Sequence, residues 1–415
     1  MSEAYICIDM KSFFASCECV ERGLDPMKAK LVVADASRSP NTICLAVSPA
    51  LKALGVKSRC RFRELPKNVD FIVAVPRMRT YLEYSQRVFK SCLKFISADD
   101  MHVYSVDEAF FDVTHYLSMY KMTAAELADR MREEIKRDTG IPASCGVGSN
   151  LYLAKIALDI TAKHSPRFLG ELTEESYRET LWDHEPLTDF WMIGQGTASR
   201  LAKYGITTMR GIATASEKAL KSWFGVDSEL LFDHAWGRES ARISDIKSYE
   251  VKSHSLSSGQ VLMRDYSFDE ALLVVSEMTD SLALDMVFRG VVSNTLTLCV
   301  SYSRDVIAPA RSSFRFDRAT NDDRDMIPAI KELYRRIVRS DLPIRRLNIC
   351  ASNLQKEDSC FQIGLFDLPE RRASTQRAVL DIRRRYGKNS IFRASSLLPA
   401  ATALERNRQI GGHKA

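Results

Sequence analysis

The chain has 415 residues and a net charge of +6, with 45% hydrophobic and 27% charged residues. Its length excludes a single hydrophobic core and predicts two to four domains, while its composition is ordinary for a soluble globular protein. No apolar run approaches the length of a membrane span, and the N-terminus MSEAYICIDMKSFF lacks a basic stretch followed by an apolar one, so no signal peptide is expected and the cytoplasm is the expected compartment.

The charge is uneven. Residues 356–415 carry 12 Lys and Arg against 6 Asp and Glu, so the first 355 residues balance at 47 against 47. A basic tail on a neutral body suits an anionic partner, or is simply solvated. Of the ten cysteines, only Cys17 and Cys19 lie close together, in no zinc pattern; the rest sit in apolar segments and read as buried thiols.

In chain order, YICI at 5–8 reads as a short buried strand ending at Asp9, followed by a helix over 12–22 with Ser12 as its cap. LVVA (31–34) and TICLAV (42–47) read as strands, PALKAL as a helix closed by Gly55, and FIVAV (71–75) as a strand. Residues 78–96 have apolar positions at helical spacing. YSVDEAFFDV (104–113), the helix AAELADRMREEIKRDTG, the strand ASCGVG (143–148) and the helix LYLAKIALDITAK complete an α/β region. From about 167 to 235 strand signals vanish and a small helical domain is expected. Residues 236–250 read as a linker, 251–354 as an α+β domain with helices FDEALLVVSEMTDSLALDMVFRG and IPAIKELYRRIVRS, and 355–415 as a basic tail.

Four features carry chemistry. In YSVDEAFFDV, Asp107 and Glu108 interrupt strand-forming residues. In a regular strand they would face opposite sides; if SVDE is a hairpin bend, both can converge with Asp9. Three converging carboxylates repel one another unless a cation sits among them, and Mg²⁺ binds a few carboxylates plus substrate phosphates. A surface turn with solvated acids is the competing reading. Lys163 ends a helix, as a dipole partner or a phosphate ligand, and Lys52 has the same two readings. WMIGQGTASRLAKYGI (191–206) has the form of a helix-hairpin-helix, in which Gly194 and Gly196 would offer backbone amides to a nucleic-acid phosphate. QIGLF (362–366) places two large apolar residues in the basic tail, as a docking peptide or folded back on the chain.

These features, in this order, resemble a Y-family translesion DNA polymerase, more the bacterial UmuC-like branch than the DinB branch. The resemblance covers nearly the whole chain. It is strongest at IDMKSFFASCE (8–18) and YSVDEAFFDVT (104–114), with support from CGVGSNLYLAKIALDITAK (145–163) and WMIGQGTASRLAKYGITTMRGIA (191–213). It implies an α+β multidomain right hand: palm at 1–10 and 76–166, fingers at 11–75, helical thumb at 167–235, linker at 236–250, little finger at 251–354, then the tail. It implies that Asp9, Asp107 and Glu108 are catalytic and hold two Mg²⁺ (Mn²⁺ as a substitute), with the Met10 carbonyl completing one shell. Phe14 matches the aromatic gate that excludes a ribose 2′-OH, with Phe13 beside it among the substrate-binding residues, and Lys163 matches a triphosphate ligand. Lys52 and Pro49 stand where many members have arginine and tyrosine, which alters the fingers-side triphosphate contacts: Lys52 keeps the charge but loses the bidentate fork. QIGLF resembles the bacterial sliding-clamp peptide, anchored by Gln362, Leu365 and Phe366.

The implied activity is low-fidelity, template-directed synthesis past damaged DNA in an SOS-type response. Implied partners are primer-template DNA, dNTP, the sliding clamp, a UmuD-type subunit and RecA, with no membrane. Two rival readings fit the same sequence: a palm-fold nucleotidyl cyclase, for which the hairpin, the little-finger region and QIGLF would have no purpose, and a catalytically silent clamp- or DNA-binding protein, which need not keep three converging acids.

Overall fold

The structure, a computed structural model, describes residues 3–251, 254–303, 307–357 and 369–415, with 164 and 369–374 described at the backbone only. It forms two compact units, divided between Tyr249 and Glu250. Among the described residues no helix is long and apolar enough to cross a membrane. The described cysteines are all free thiols, most of them buried.

The first unit is built on a five-stranded sheet. Its strands are β1 (Tyr5–Met10), β5 (Met101–Val103), β6 (Glu108–Asp112), β7 (Ala143–Gly148) and β8 (Leu169–Leu172), in the order β5-β6-β1-β7-β8. β1 is the centre and runs antiparallel to both neighbours. Both faces are covered, which is why YICI is apolar throughout rather than alternating. Ile6, Ile8 and Met10 belong to a core shared with helices Met78–Cys92 and Ala124–Thr139, whereas Tyr5 and Cys7 pack with Phe110, Leu151, Ala154 and Leu158 on the other face. Asp9 is in step with Tyr5 and Cys7, so it belongs to the second face.

A second, three-stranded sheet is formed by β2 (Leu31–Val33), β3 (Ala46–Val47) and β4 (Ile72–Ala74), in the order β3-β2-β4. Its small core holds Val32, Cys44, Val47 and Leu51, and it carries the five-residue helix Pro49–Ala53 that bears Lys52. The helical region that follows has its own core around Tyr177, Phe190, Leu201 and Leu220.

The second unit is a four-stranded antiparallel sheet of β9 (Leu256–Tyr266), β10 (Val291–Tyr302), β11 (Ala310–Thr320) and β12 (Ile344–Lys356), in the order β11-β10-β12-β9. Helices Phe268–Arg289 and Asp323–Ile337 pack on it around Val274, Met278, Leu298 and Ile330.

The structure departs from the sequence reading in several places. Ser12 is not a hydrogen-bonding cap: it lies in the left-handed region (φ 47°), and the helix runs Phe13–Glu21. Strand signals do not vanish after 167, because β8 pairs in parallel with β7. β8 was illegible because it is four residues long and pressed against a helix: a Cβ on Gly170 would lie 2.4 Å from the Ala157 carbonyl oxygen. The span 236–250 contains the helix Ile243–Ser248, fastened to the first unit by buried Ile243, by the Arg242–Glu3 ion pair and by Lys247 Nζ donating to the Asp99 carbonyl at 2.8 Å. β11 went unread because most of its residues are polar and none is fully buried.

The span 355–415 is more than a polar tail. It contains the helix Pro369–Tyr386, and Arg393 Nε donates to Asp280 on the helix Phe268–Arg289 at 2.7 Å. Glu277 of the same helix accepts from the Thr402 and Ala403 amides at 2.8 and 3.1 Å, and Ala400 joins the core. Its arginines are therefore partly spent on internal ion pairs. QIGLF, with Gln362, Leu365 and Phe366, lies outside the described residues.

The placement of the site depends on one close approach. Helix Leu151–Ile156 crosses β7 where the strand has only glycines: a Cβ on Gly146 would lie 2.2 Å from the Ala154 carbonyl oxygen and 2.3 Å from the Leu158 nitrogen. Both are backbone atoms, so no side-chain rotation relieves the clash. Gly146→Ala is expected to cost about 3 kcal/mol, the upper end of the usual range for overpacking. A urea titration checks this; an unchanged midpoint would mean that the helix can lift off the strand freely.

Candidate active site

The bend that the sequence left open is a hairpin. The Tyr104 and Ser105 amides both donate to the Glu108 carbonyl at 3.0 Å, closing the chain between β5 and β6. Glu108 is the first residue of β6 and pairs directly with Asp9 of β1. Directly paired residues share a face, so the Asp9 and Glu108 side chains leave the sheet on the same side. Asp107 precedes the strand and escapes its alternation. Its carbonyl accepts from the Met10 amide at 2.9 Å, which ties the bend to the end of β1, and its carboxylate accepts from Ser105 Oγ at 2.5 Å.

Three acids are thus neighbours, and Asp9 shows the consequence. Burial, then the charges of Asp107 and Glu108, push its carboxyl up to about 8. Glu108 is held differently. It is buried and pairs with Lys155 Nζ at 2.6 Å, while Cys7 Sγ lies 3.2 Å from the same oxygen. Lys155 also reaches Asp159 at 3.1 Å; burial works against its charge, but Asp159 and Glu108 outweigh that and hold the ammonium above its usual range. Among the described residues, Asp9 and Asp107 make no ion pair.

The donor set is hard oxygen with surplus negative charge, which fits Mg²⁺ or Mn²⁺ rather than a thiolate-seeking metal. The acids are neighbours rather than a closed shell: among the described residues no three His, Cys, Asp or Glu groups stand at a spacing that holds a metal by itself. That agrees with Glu108 being engaged by Lys155.

Lys52 and Lys163 come together with a third lysine that the sequence reading missed. Lys11 is lowered by burial, drawn up by Asp9, and lowered again by Lys52 and Lys163. Lys52 is lowered by burial and by Lys163, against the pull of Asp9. Lys11 Nζ lies 3.7 Å above the Phe168 ring. Three ammonium groups near one another and beside Asp9 can receive an oxyanion that brings its own cations. Lys11 had one signal in the sequence, its place two residues after Asp9.

Lys163 reaches this cluster through an irregular helix. Residues Ala157–Thr161 form a π-helical turn between Leu151–Ile156 and Ala162–His164. In an unbroken α-helix Lys163 would be rotated about 80° from Lys155. A π turn absorbs one extra residue and brings the two lysines to within about 20°.

Phe13 and Phe14 divide their roles. Phe13 is 2% exposed and belongs to the core. Phe14 is half-buried, its ring stacked on Tyr81 at 4.6 Å and 21°. Tyr81 is fixed in turn: its hydroxyl donates to Glu18 at 2.8 Å, and Arg77 Nε donates to the same carboxylate at 2.9 Å. Burial would raise Glu18, but these bonds and that from Arg22 hold it below the usual carboxylate range. Of the sequence candidates, Pro49 starts the helix bearing Lys52. Gly194 precedes the helix Gln195–Ala202 and Gly196 lies in its first turn. A Cβ on either glycine would meet nothing within 4 Å, and neither has a positive φ. Both glycines are exposed and leave the backbone there uncovered by a side chain.

The impB/mucB/samB family matches residues 8–159, and its C-terminal domain matches residues 253–365. The relative described as "Putative UV-damage repair protein UvrX", from Bacillus subtilis (strain 168), is 30% identical over 414 residues, covering 99% of this chain and 97% of the relative. "DNA polymerase IV 2" of the same organism is 28% identical, covering 98% and 97%. These names match the family at large and do not single out the UmuC-like branch. Among solved structures, a Y-family DNA polymerase chimera of Dbh and Dpo4 aligns at a TM-score of 0.66 and 20% identity, covering 85% of this chain and 99% of that one, and so shares the fold. The chain belongs to the impB/mucB/samB family of Y-family translesion DNA polymerases.

Proposed function

We propose that the chain is a template-directed DNA polymerase of low fidelity that copies past damaged bases by two-metal-ion nucleotidyl transfer. The observation that carries this is Asp9 paired across the sheet with Glu108 and beside Asp107, next to the cluster Lys11, Lys52 and Lys163. The names of the relatives, a UV-damage repair protein and DNA polymerase IV, support it. A silent binding protein would have no use for two acids held directly opposite each other on one face of the sheet.

Asp9, Asp107 and Glu108, with the Met10 carbonyl, would hold Mg²⁺ or Mn²⁺. When bound, the ions supply Lewis acidity toward the primer 3′-OH and neutralise the triphosphate. Lys155 keeps Glu108 oriented and limits the net charge of the cluster. Lys11, Lys52 and Lys163 take the triphosphate oxygens as point charges, without the bidentate fork of an arginine. Phe14, braced on Tyr81, closes the space beside the sugar C2′. Gly194 and Gly196 offer amides to a DNA phosphate.

Low fidelity follows from the size of the second sheet. Three strands of two or three residues and a five-residue helix leave little protein to close over a nascent pair. QIGLF would tether the enzyme to a sliding clamp and raise its local concentration at the primer end. A UmuD-type subunit and RecA are proposed accessory partners through the resemblance alone.

Primer extension on undamaged and lesion-bearing templates, with and without clamp, is the direct test. Stalling at every lesion removes the translesion reading, and failure to extend any template removes the polymerase reading. Asp107→Ala is expected to lower incorporation by more than about 10³-fold while DNA affinity changes less than about threefold, because the lost ligand acts on the reacting phosphate. Robust extension by this variant in Mg²⁺ would displace Asp107 from the site.

Phe14→Ala is expected to raise ribonucleotide incorporation relative to dNTP by at least about tenfold, since the lost ring is what meets the 2′-OH. The ratio of the two incorporation efficiencies checks it. An unchanged ratio would make Phe14 only a partner for Tyr81. Leu365→Ala with Phe366→Ala is expected to abolish stimulation by the clamp and leave basal extension intact. A double variant that the clamp still stimulates would remove QIGLF from that contact.

A further inference from the structure

Five aromatic rings connect the carboxylate bend to the helix that carries Lys155, and two of them come from the helical region. Tyr104, at the mouth of the bend, meets Trp191 edge-on with centroids 6.0 Å apart and planes at 80°, and accepts from Trp191 Nε1 at 3.3 Å. Phe110 of β6 lies 5.8 Å from Tyr104 and 6.0 Å from Trp191, closing a triangle of rings. On its other side Trp191 runs nearly parallel to His234, at 6.4 Å and 18°, and His234 stacks on Tyr152 at 3.9 Å and 17°. Tyr152 lies three residues, about one turn, before Lys155 on the same helix.

The column therefore ends at two supports of the carboxylates. One is the bend, where the Tyr104 and Ser105 amides fix Glu108 and hence Asp107. The other is Lys155, which pairs with Glu108 at 2.6 Å. Its middle is held in the helical region: Trp191 is three residues before Gly194, and the His234 carbonyl accepts from the Tyr177 hydroxyl at 3.1 Å. Tyr104 is 47% exposed, so the outer end of the column is not core filling. The Tyr104–Trp191 contact joins the sheet to the helical region within one compact unit.

We propose that Trp191 is a positioning residue: it ties the hairpin that grips the DNA duplex to the bend that carries Asp107 and Glu108, so that grip on the duplex sets the carboxylate geometry. The physical basis is a rigid lever. A phosphate held at Gly194 and Gly196 fixes the turn Trp191–Ile193, and the Trp191 ring can then press Tyr104 in one orientation only. The proposal rests on the polymerase reading above.

The test uses the full chain with primer-template DNA and Mg²⁺, measuring single-turnover incorporation at saturating dNTP and DNA affinity by fluorescence anisotropy. Trp191→Leu and Tyr104→Leu are each expected to lower the rate about tenfold while DNA affinity moves less than about threefold. The double variant should be no slower than the worse single one, since residues acting through one contact are non-additive. Trp191→Phe, which keeps an aromatic edge against Tyr104, should recover most of the rate. Additive losses, a weakened affinity with an unchanged rate, or losses that track the melting temperature in Leu and Phe variants alike would each overturn the proposal. A wild-type chain that extends no primer overturns the polymerase reading and this one with it, whereas an active wild type with unaffected variants overturns this one alone.

Discussion

Like charge held at close range is the constraint around which the first unit is organised. β1 and β6 place Asp9 and Glu108 opposite each other on one face, and the bend adds Asp107. No apolar packing favours that, and burial together with the charges of Asp107 and Glu108 raises the Asp9 carboxyl to about 8. The surrounding structure answers in three ways. Lys155 pairs with the most buried acid, Ser105 donates to Asp107, and Lys11 and Lys52 stand close enough to feel the charge of Asp9.

Each answer depends on backbone geometry that must come within tenths of an ångström. Lys155 reaches Glu108 because the helix lies directly on the Gly146 and Gly148 backbone, with no side chain between. Lys163 joins Lys11 and Lys52 because a π-helical turn resets the helix phase. Phe14 enters its helix just after Ser12 turns the chain through the left-handed region, and a buried Glu18 locks the Tyr81 ring on which it stacks. The candidate site residues are concentrated at these irregular points, where local preference has been overridden by tertiary packing.

The second unit follows a different logic. Its four long antiparallel strands and two helices have a conventional amphipathic core. The segment beyond β12 is fastened to that core by polar groups: Glu277 holds the Thr402 and Ala403 amides, and Asp280 holds Arg393. A run that is basic in sequence is thus partly neutralised in the fold, and its net charge overstates what it can offer a polyanion.

The sequence by itself determined the elements with strong periodicity or clear ends. The helices over 124–139 and 268–289, the buried strand YICI, the hairpin option at SVDE and the nearness of Asp9 to that bend were all legible there. Spacing and apolar context are local properties, and these features are local. Only the tertiary structure decided which cations answer the acids. Lys155 sits in an apolar helix with no local mark of its partner, and Lys11 is one residue past a strand end. β8 exists only because β7 is beside it, and Tyr104, Trp191, His234 and Tyr152 are up to 130 residues apart until the helical region packs against the sheet. Contacts of that range are set by packing and loop closure, which no window of sequence contains.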